Sequence, residues 1–166
     1  MGDSVDAIVE QWATERPDLE TSAMELFGRI YRLSRLSGDA MERTYGRFGL
    51  TRGDFDVLAT LRRSGPPFRL SPSRLADSLM LTTGGMTGRL DRLERAGHVR
   101  REPDPGDRRS LLVSLTDAGR TLVDEAVAAG LAVQHDMLAD LTPAQAGALR
   151  DALRDALASV EAHAPR

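Results

Sequence analysis

Residues 81–97 read LTTGGMTGRLDRLERAG, and residues 98–115 continue HVRREPDPGDRRSLLVSL. In the first stretch Met86, Leu90 and Leu93 fall at helical spacing on one face, with Thr83, Thr87, Arg89 and Arg92 on the other. Thr82 is a hydroxyl cap at the start of this helix, and Gly97 is its expected end. Gly84 and Gly85 each cost about 1 kcal/mol relative to alanine in a helix interior. Close approach of backbone to phosphate is one reason to keep them in the first turn. Upstream, Ser71-Pro72 is a cap followed by proline at the first helical position, so a short helix is expected from Pro72 to Leu79, with Met80-Leu81 as the turn. Downstream, His98–Glu102 and Ser110–Leu115 read as strands around a polar loop, Pro103–Arg109. Two short helices, a tight turn and a hairpin make a winged helix-turn-helix.

The flanks are helical. Thr51 with Asp54 marks a helix start, and Phe55, Leu58 and Leu61 form its apolar face until Gly65-Pro66-Pro67 stops it. A longer helix is expected from about Ser22 to Phe48, with Met24, Phe27, Ile30, Tyr31 and Leu33 inward. Val5, Ile8, Val9 and Trp12 space an N-terminal helix that Arg16-Pro17 breaks. Thr116 opens a long alanine-rich helix, and Thr142-Pro143 starts a last one reaching about Glu161. The fold class is therefore mainly α with a small β-hairpin wing.

Composition narrows the function. The chain has 166 residues, 41% hydrophobic and 28% charged, enough for one compact domain. No apolar run approaches membrane-spanning length, and the acidic, amphipathic start MGDSVDAIVEQW is unlike a signal peptide. A cytoplasmic chain with no membrane partner is expected. The absence of cysteine excludes disulfides and thiolate chemistry. The formal net charge of -3 argues at first against nucleic acid, yet Arg89 to Arg109 holds seven arginines against five acidic residues. All 22 basic residues are arginine, which suits bidentate contacts to phosphate and bases; GC-rich codons explain the missing lysine equally well. Asp107 is placed to brace Arg109, and a braced arginine on a wing suits a narrow minor groove. Enzyme readings lack parts. His98, His135 and His163 have no metal-ligand spacing, no lysine exists for a phosphate loop, and no cofactor is expected. A helical interaction module would keep the terminal helices but would not need Arg108 and Arg109.

The stretch DRLERAGHVRREPDPGDRRSLLVSLTDAG resembles the signature of the multiple-antibiotic-resistance-regulator (MarR) family, above all at Asp107-Arg108-Arg109 and Leu115-Thr116-Asp117-Ala118-Gly119. The resemblance implies a homodimer that binds a palindromic double-stranded DNA operator and leaves it on binding a small molecule. It implies one chain, 1–166, with dimerisation helices at 20–50 and 117–162 and a winged helix-turn-helix at 51–116. Leu122, Val123, Ala126, Leu149, Leu153 and Leu157 are then candidate buried positions. The DNA-contacting set becomes Thr82, Thr83, Gly85, Thr87, Arg89, Arg92, Arg108 and Arg109.

The N-terminal piece is similar to the MarR subgroup that answers to urate or related small anions, which carries an extra N-terminal helix, here 1–16. The resemblance assigns the ligand to Trp12, Asp56, Arg89 and Arg101, with Arg63, two turns beyond Asp56, at the rim. The chemistry is coherent: a planar oxopurine stacks on Trp12, Asp56 accepts a ring N–H, and the arginines fork onto anionic oxygens. Each residue also has a plainer role open to it. Trp12 can pack its helix, Asp56 and Arg89 can pair with each other, and Arg101 can contact phosphate. The expected function is a repressor released by a small anionic effector such as urate. Citrate, trans-aconitate or another metabolite, or a helical module that binds no DNA, are the alternatives.

Overall fold

In the computed structural model, the described residues are 2–79 and 86–164, and the side chains of 107–110 are outside the description. The elements run α1 (Ser4–Glu15), α2 (Ser22–Gly46), α3 (Arg52–Arg63), β1 (Arg69–Leu70), α4 (Pro72–Ser78), α5 (Met86–Arg95), β2 (Val99–Asp104), β3 (Asp107–Leu115), α6 (Asp117–Met137) and α7 (Pro143–His163). Side-chain caps fix most of the helix starts. Thr51 accepts from the Asp54 N–H while Asp54 reaches back to the Thr51 backbone. Thr142 and Gln145 repeat that box, Ser71 accepts from the Arg74 N–H ahead of Pro72, and Thr116 accepts from the Gly119 N–H. Each such cap contributes about 1 kcal/mol.

The core gathers around the winged region. Val57, Leu58 and Leu61 of α3, Leu75 of α4, Leu90 and Leu93 of α5, Val113 of β3 and Val123 of α6 are all buried, closed on one side by Met41 and Tyr45 near the end of α2. Tyr45 stacks on Phe55 with ring centroids 3.8 Å apart. Burial raises the Tyr45 phenol pKa; nearby Asp56 adds to that, and Arg52 opposes it. The sheet is antiparallel with order β1-β3-β2, in which Arg101 faces Val113 and Arg69 faces Ser114. At the N-terminus Val5 is buried against Gly28, and Arg29 bonds Asp3, Asp6 and Glu25, so α1 lies on α2.

Three expectations change. Met24, Phe27, Tyr31 and Leu33 do not turn inward: they are 41%, 53%, 71% and 52% exposed. The first half of α2 lies beyond the core, and its apolar face meets no layer of its own chain. The loop expected over Pro103–Arg109 is mostly strand, and the turn itself is Pro105-Gly106. Proline in β2 suggested a loop, but β2 is an edge strand, where a missing N–H is tolerated. Finally, Val123 and Ala126 are buried within the chain's own core, whereas Leu149, Leu153 and Leu157 of α7 remain exposed.

Candidate functional site

The recognition helix is the hub. Met86, Leu90 and Leu93 bury the back of α5, and Thr87 is exposed near its start. Thr82, Thr83 and Gly85 lie outside the described residues, as do the side chains of Arg108 and Arg109. The backbone of the latter two belongs to β3 just past the turn. There Asp104 pairs with Asp107 while Pro103 pairs with Leu111, a register shift that places Arg108, Arg109 and Ser110 in a bulge.

At 100° per residue, Arg89 and Arg92 share one flank of α5, and Asp91 and Glu94 share the opposite one. The first flank packs on the start of α3. A Cβ at Gly53 would come within 2.6 Å of the Arg89 guanidinium carbon, so Arg89 lies flat on α3 backbone that only glycine leaves open. Its Nη1 is buried and has no hydrogen-bond partner among the described residues. One turn along, Arg92 Nη2 donates to Asp54 Oδ1 at 2.8 Å. Asp54 is 5% exposed, and its other oxygen accepts from the Thr51 hydroxyl at 2.8 Å. Arg92 thus fastens α5 to the α3 cap as well as standing near the DNA-facing side.

The second flank packs on the wing. Arg101 donates through Nη2 to Asp91 and Glu94, both at 2.6 Å, and its backbone N–H donates to Glu94 at 2.8 Å. Bonding to Arg101 holds the Glu94 carboxyl below the usual range, and bonding to Glu94 and then Asp91 raises the Arg101 pKa. This clamp joins the recognition helix to β2.

The four proposed effector residues are therefore not gathered. Asp56 and Arg89 approach the same seam, since Asp56 lies one turn beyond Gly53 on α3. Asp56 pairs with Arg52 at 3.2 Å rather than with Arg89. Arg101 occupies the far flank of α5, and Trp12 is 41% exposed on α1. Arg63 donates to the Ser78 carbonyl at 3.0 Å, bracing the end of α4 rather than rimming the seam. Sequence reading missed the Arg89–Gly53 contact and the Arg101 clamp. The Arg52–Asp56 pair had a signal, because the two stand four apart on one helix.

Helix-turn-helix, hairpin wing and an arginine-rich recognition surface define a winged helix-turn-helix DNA-binding regulator. Residues 48–110 match the MarR family. The HTH-type transcriptional regulator PecS of Dickeya dadantii is 40% identical over 159 residues, covering 96% of this chain and 93% of that protein. The HTH-type transcriptional repressor YetL of Bacillus subtilis is 29% identical, covering 70% of each chain. Among solved structures, AbsC, a MarR family transcriptional regulator from Streptomyces coelicolor, superposes with a TM-score of 0.74 at 26% identity, over 87% of this chain and 97% of its own. A mutant MarR from E. coli complexed with operator DNA gives 0.71 at 26% identity, over 82% and 96%. The chain belongs to the MarR family of transcriptional regulators. Its relatives are named as regulators and not as enzymes. Among the described residues no helix is long and apolar enough to cross a membrane.

Proposed function

We propose that the chain is a homodimeric repressor that leaves a palindromic operator when a small anion enters the α3–α5 seam beside Arg89. The observation that carries this reading is the buried Nη1 of Arg89, without a partner among the described residues. A buried guanidinium N–H without an acceptor carries an uncompensated desolvation cost, and an anionic oxygen removes it with a charge-assisted bond. Asp56 stands one turn away to accept a ring N–H, and Trp12 offers a stacking face. Arg101 joins only by leaving Asp91 and Glu94, so its recruitment would loosen the wing from the recognition helix. Urate and tricarboxylates such as citrate or trans-aconitate both fit this chemistry.

On DNA, Thr82, Thr83, Gly85, Thr87 and Arg89 are assigned to the major groove, with Arg92 at the edge of that surface, and Arg108 and Arg109 to the backbone and minor groove. Dimerisation is assigned to α2, α6 and α7. Phe27, Leu153 and Leu157 line one apolar groove, and Leu33, Met137 and Leu149 another of about 430 Å³. These grooves support a partner helix, because an apolar surface of this extent is otherwise left in water. Drawing Arg89 toward an effector depopulates the DNA-competent helix position, and DNA weakens the effector by the same factor. A tenfold release needs a coupling of about 1.4 kcal/mol. The test is operator affinity with and without saturating urate, xanthine, citrate or trans-aconitate. Trp12→Ala should keep operator affinity and lose the response, whereas Arg89→Ala should damage both. A Trp12→Ala protein that responds as strongly as the parent places the effector elsewhere.

A further inference from the structure

A second pocket, of about 410 Å³, opens where the end of α5 meets the turn before α3. Leu50 and Leu93, both nearly fully buried, form its apolar floor, and Asp54, Arg92, Arg95 and His98 supply its polar rim. Asp54 is already saturated by Thr51 and Arg92, so it offers little to a further partner. Arg95 uses one guanidinium nitrogen on the Asp91 carbonyl, at 3.2 Å. The remaining rim is cationic: two arginines against one carboxylate.

His98 is the telling residue. Its backbone N–H donates to the Leu93 carbonyl at 2.9 Å, and its carbonyl accepts from the Thr116 N–H and hydroxyl, each at 3.1 Å. Those bonds hold the residue at the junction of α5, β2 and α6. Its ring Nδ1 is buried and has no partner among the described residues. Buried polar atoms are nearly always bonded, so an orphan beside two arginines marks a place for an acceptor. One carboxylate can take the Nδ1–H with one oxygen and an arginine with the other, while an apolar body rests on Leu50 and Leu93.

We propose that this pocket is a binding site for a small organic carboxylate with an apolar body, separate from the effector seam at Arg89. A carboxylate held there ties the end of the recognition helix to the turn that starts α3. It does not involve Trp12, so it stands or falls apart from the effector reading.

The test is a titration of the full-length protein with benzoate, acetate and inorganic phosphate, read from the ring signals of His98 by nuclear magnetic resonance, with His135 and His163 as internal controls. Benzoate should shift the His98 signals saturably and more tightly than acetate or phosphate, leaving the other two histidines still. Arg95→Gln, at an exposed position, should fold as the parent does and weaken benzoate on the order of tenfold, the worth of one charge-assisted hydrogen bond. Trp12→Ala should bind benzoate at His98 as the parent does. Phosphate binding as tightly as benzoate overturns the carboxylate assignment. No saturable His98 shift, or an unchanged affinity in Arg95→Gln, overturns the site.

Discussion

The winged half and the terminal helices carry the same kind of apolar periodicity, yet only one of them closes on itself. Val57, Leu58, Leu61, Leu75 and Val113 are fully buried within one chain. Phe27, Leu33, Leu153 and Leu157 repeat at equally regular spacing and stay 53%, 52%, 40% and 57% exposed. The difference teaches that periodicity reports a face and is silent about what covers it. A winged helix-turn-helix brings three layers together locally, so each apolar stripe finds its neighbour within the chain. The helices outside it extend past those layers.

The largest effect that would break this contrast lies in the core. Leu58→Ala should cost roughly 2–5 kcal/mol, as a cavity forms where no neighbour can collapse. Denaturant unfolding should show this loss at every protein concentration. Leu157→Ala should cost far less in dilute protein, with a loss that depends on concentration. Equal, concentration-independent losses would mean that α7 is part of the single-chain core.

Next in size is the quaternary effect. Leu153→Asp with Leu157→Asp should leave helix content unchanged by circular dichroism and shift the protein to monomer by light scattering. Operator affinity should fall at least about tenfold, since one half-site then binds without its twin. A doubly substituted protein that stays dimeric would move the interface off α7.

Much of the winged half was legible because its signals are local. Ser71-Pro72, Thr51 with Asp54, Thr116, and Thr142 with Gln145 all cap the helices they were expected to cap. β1 escaped notice because two residues have no period to detect. The bulge at Arg108–Ser110 escaped because Pro103 and Gly106 mimic a longer loop. The effector residues were legible as types and not as an arrangement. Whether Arg101 faces a ligand or Glu94 depends on how β2 crosses α5, a tertiary fact seven residues from its partner. Likewise, the inward reading of Phe27 and Tyr31 assumed a layer that the single chain does not provide.

Helix caps give a smaller and more even effect across the two halves. Thr51→Ala and Thr142→Ala each remove a capping box, and each should cost about 1 kcal/mol. Thr51 also supports Asp54, which holds Arg92, so its loss should carry into α5 and lower operator affinity. Thr142→Ala should leave operator affinity at the parent value once the protein is dimeric. A binding assay above the dimer concentration separates them. Equal effects on DNA binding would mean that the Asp54–Arg92 link does not position the recognition helix.

The smallest effect separates the halves by chemistry. The winged half is fastened partly by a titrating clamp, while the α2–α7 face is apolar and should be indifferent to pH. Glu94 is held below the usual carboxylate range, first by the Arg101 side chain and then by its backbone N–H. A carboxyl with a depressed folded pKa adds stability that is fully present above its unfolded pKa and is lost as pH falls through the folded value. The loss therefore belongs to the acid side, below the usual carboxylate range, and nothing should change near neutrality. Because Glu94 and Arg101 are both partly open to water, the slope should be shallow. Acid titration of unfolding should show the parent losing stability through this window more steeply than Glu94→Gln, whose clamp has no proton to bind. Dimer dissociation measured over the same range should not follow that difference. If Glu94→Gln matches the parent slope, the clamp contributes nothing to acid stability, and the wing is held to α5 by Val99 and Leu93 packing alone.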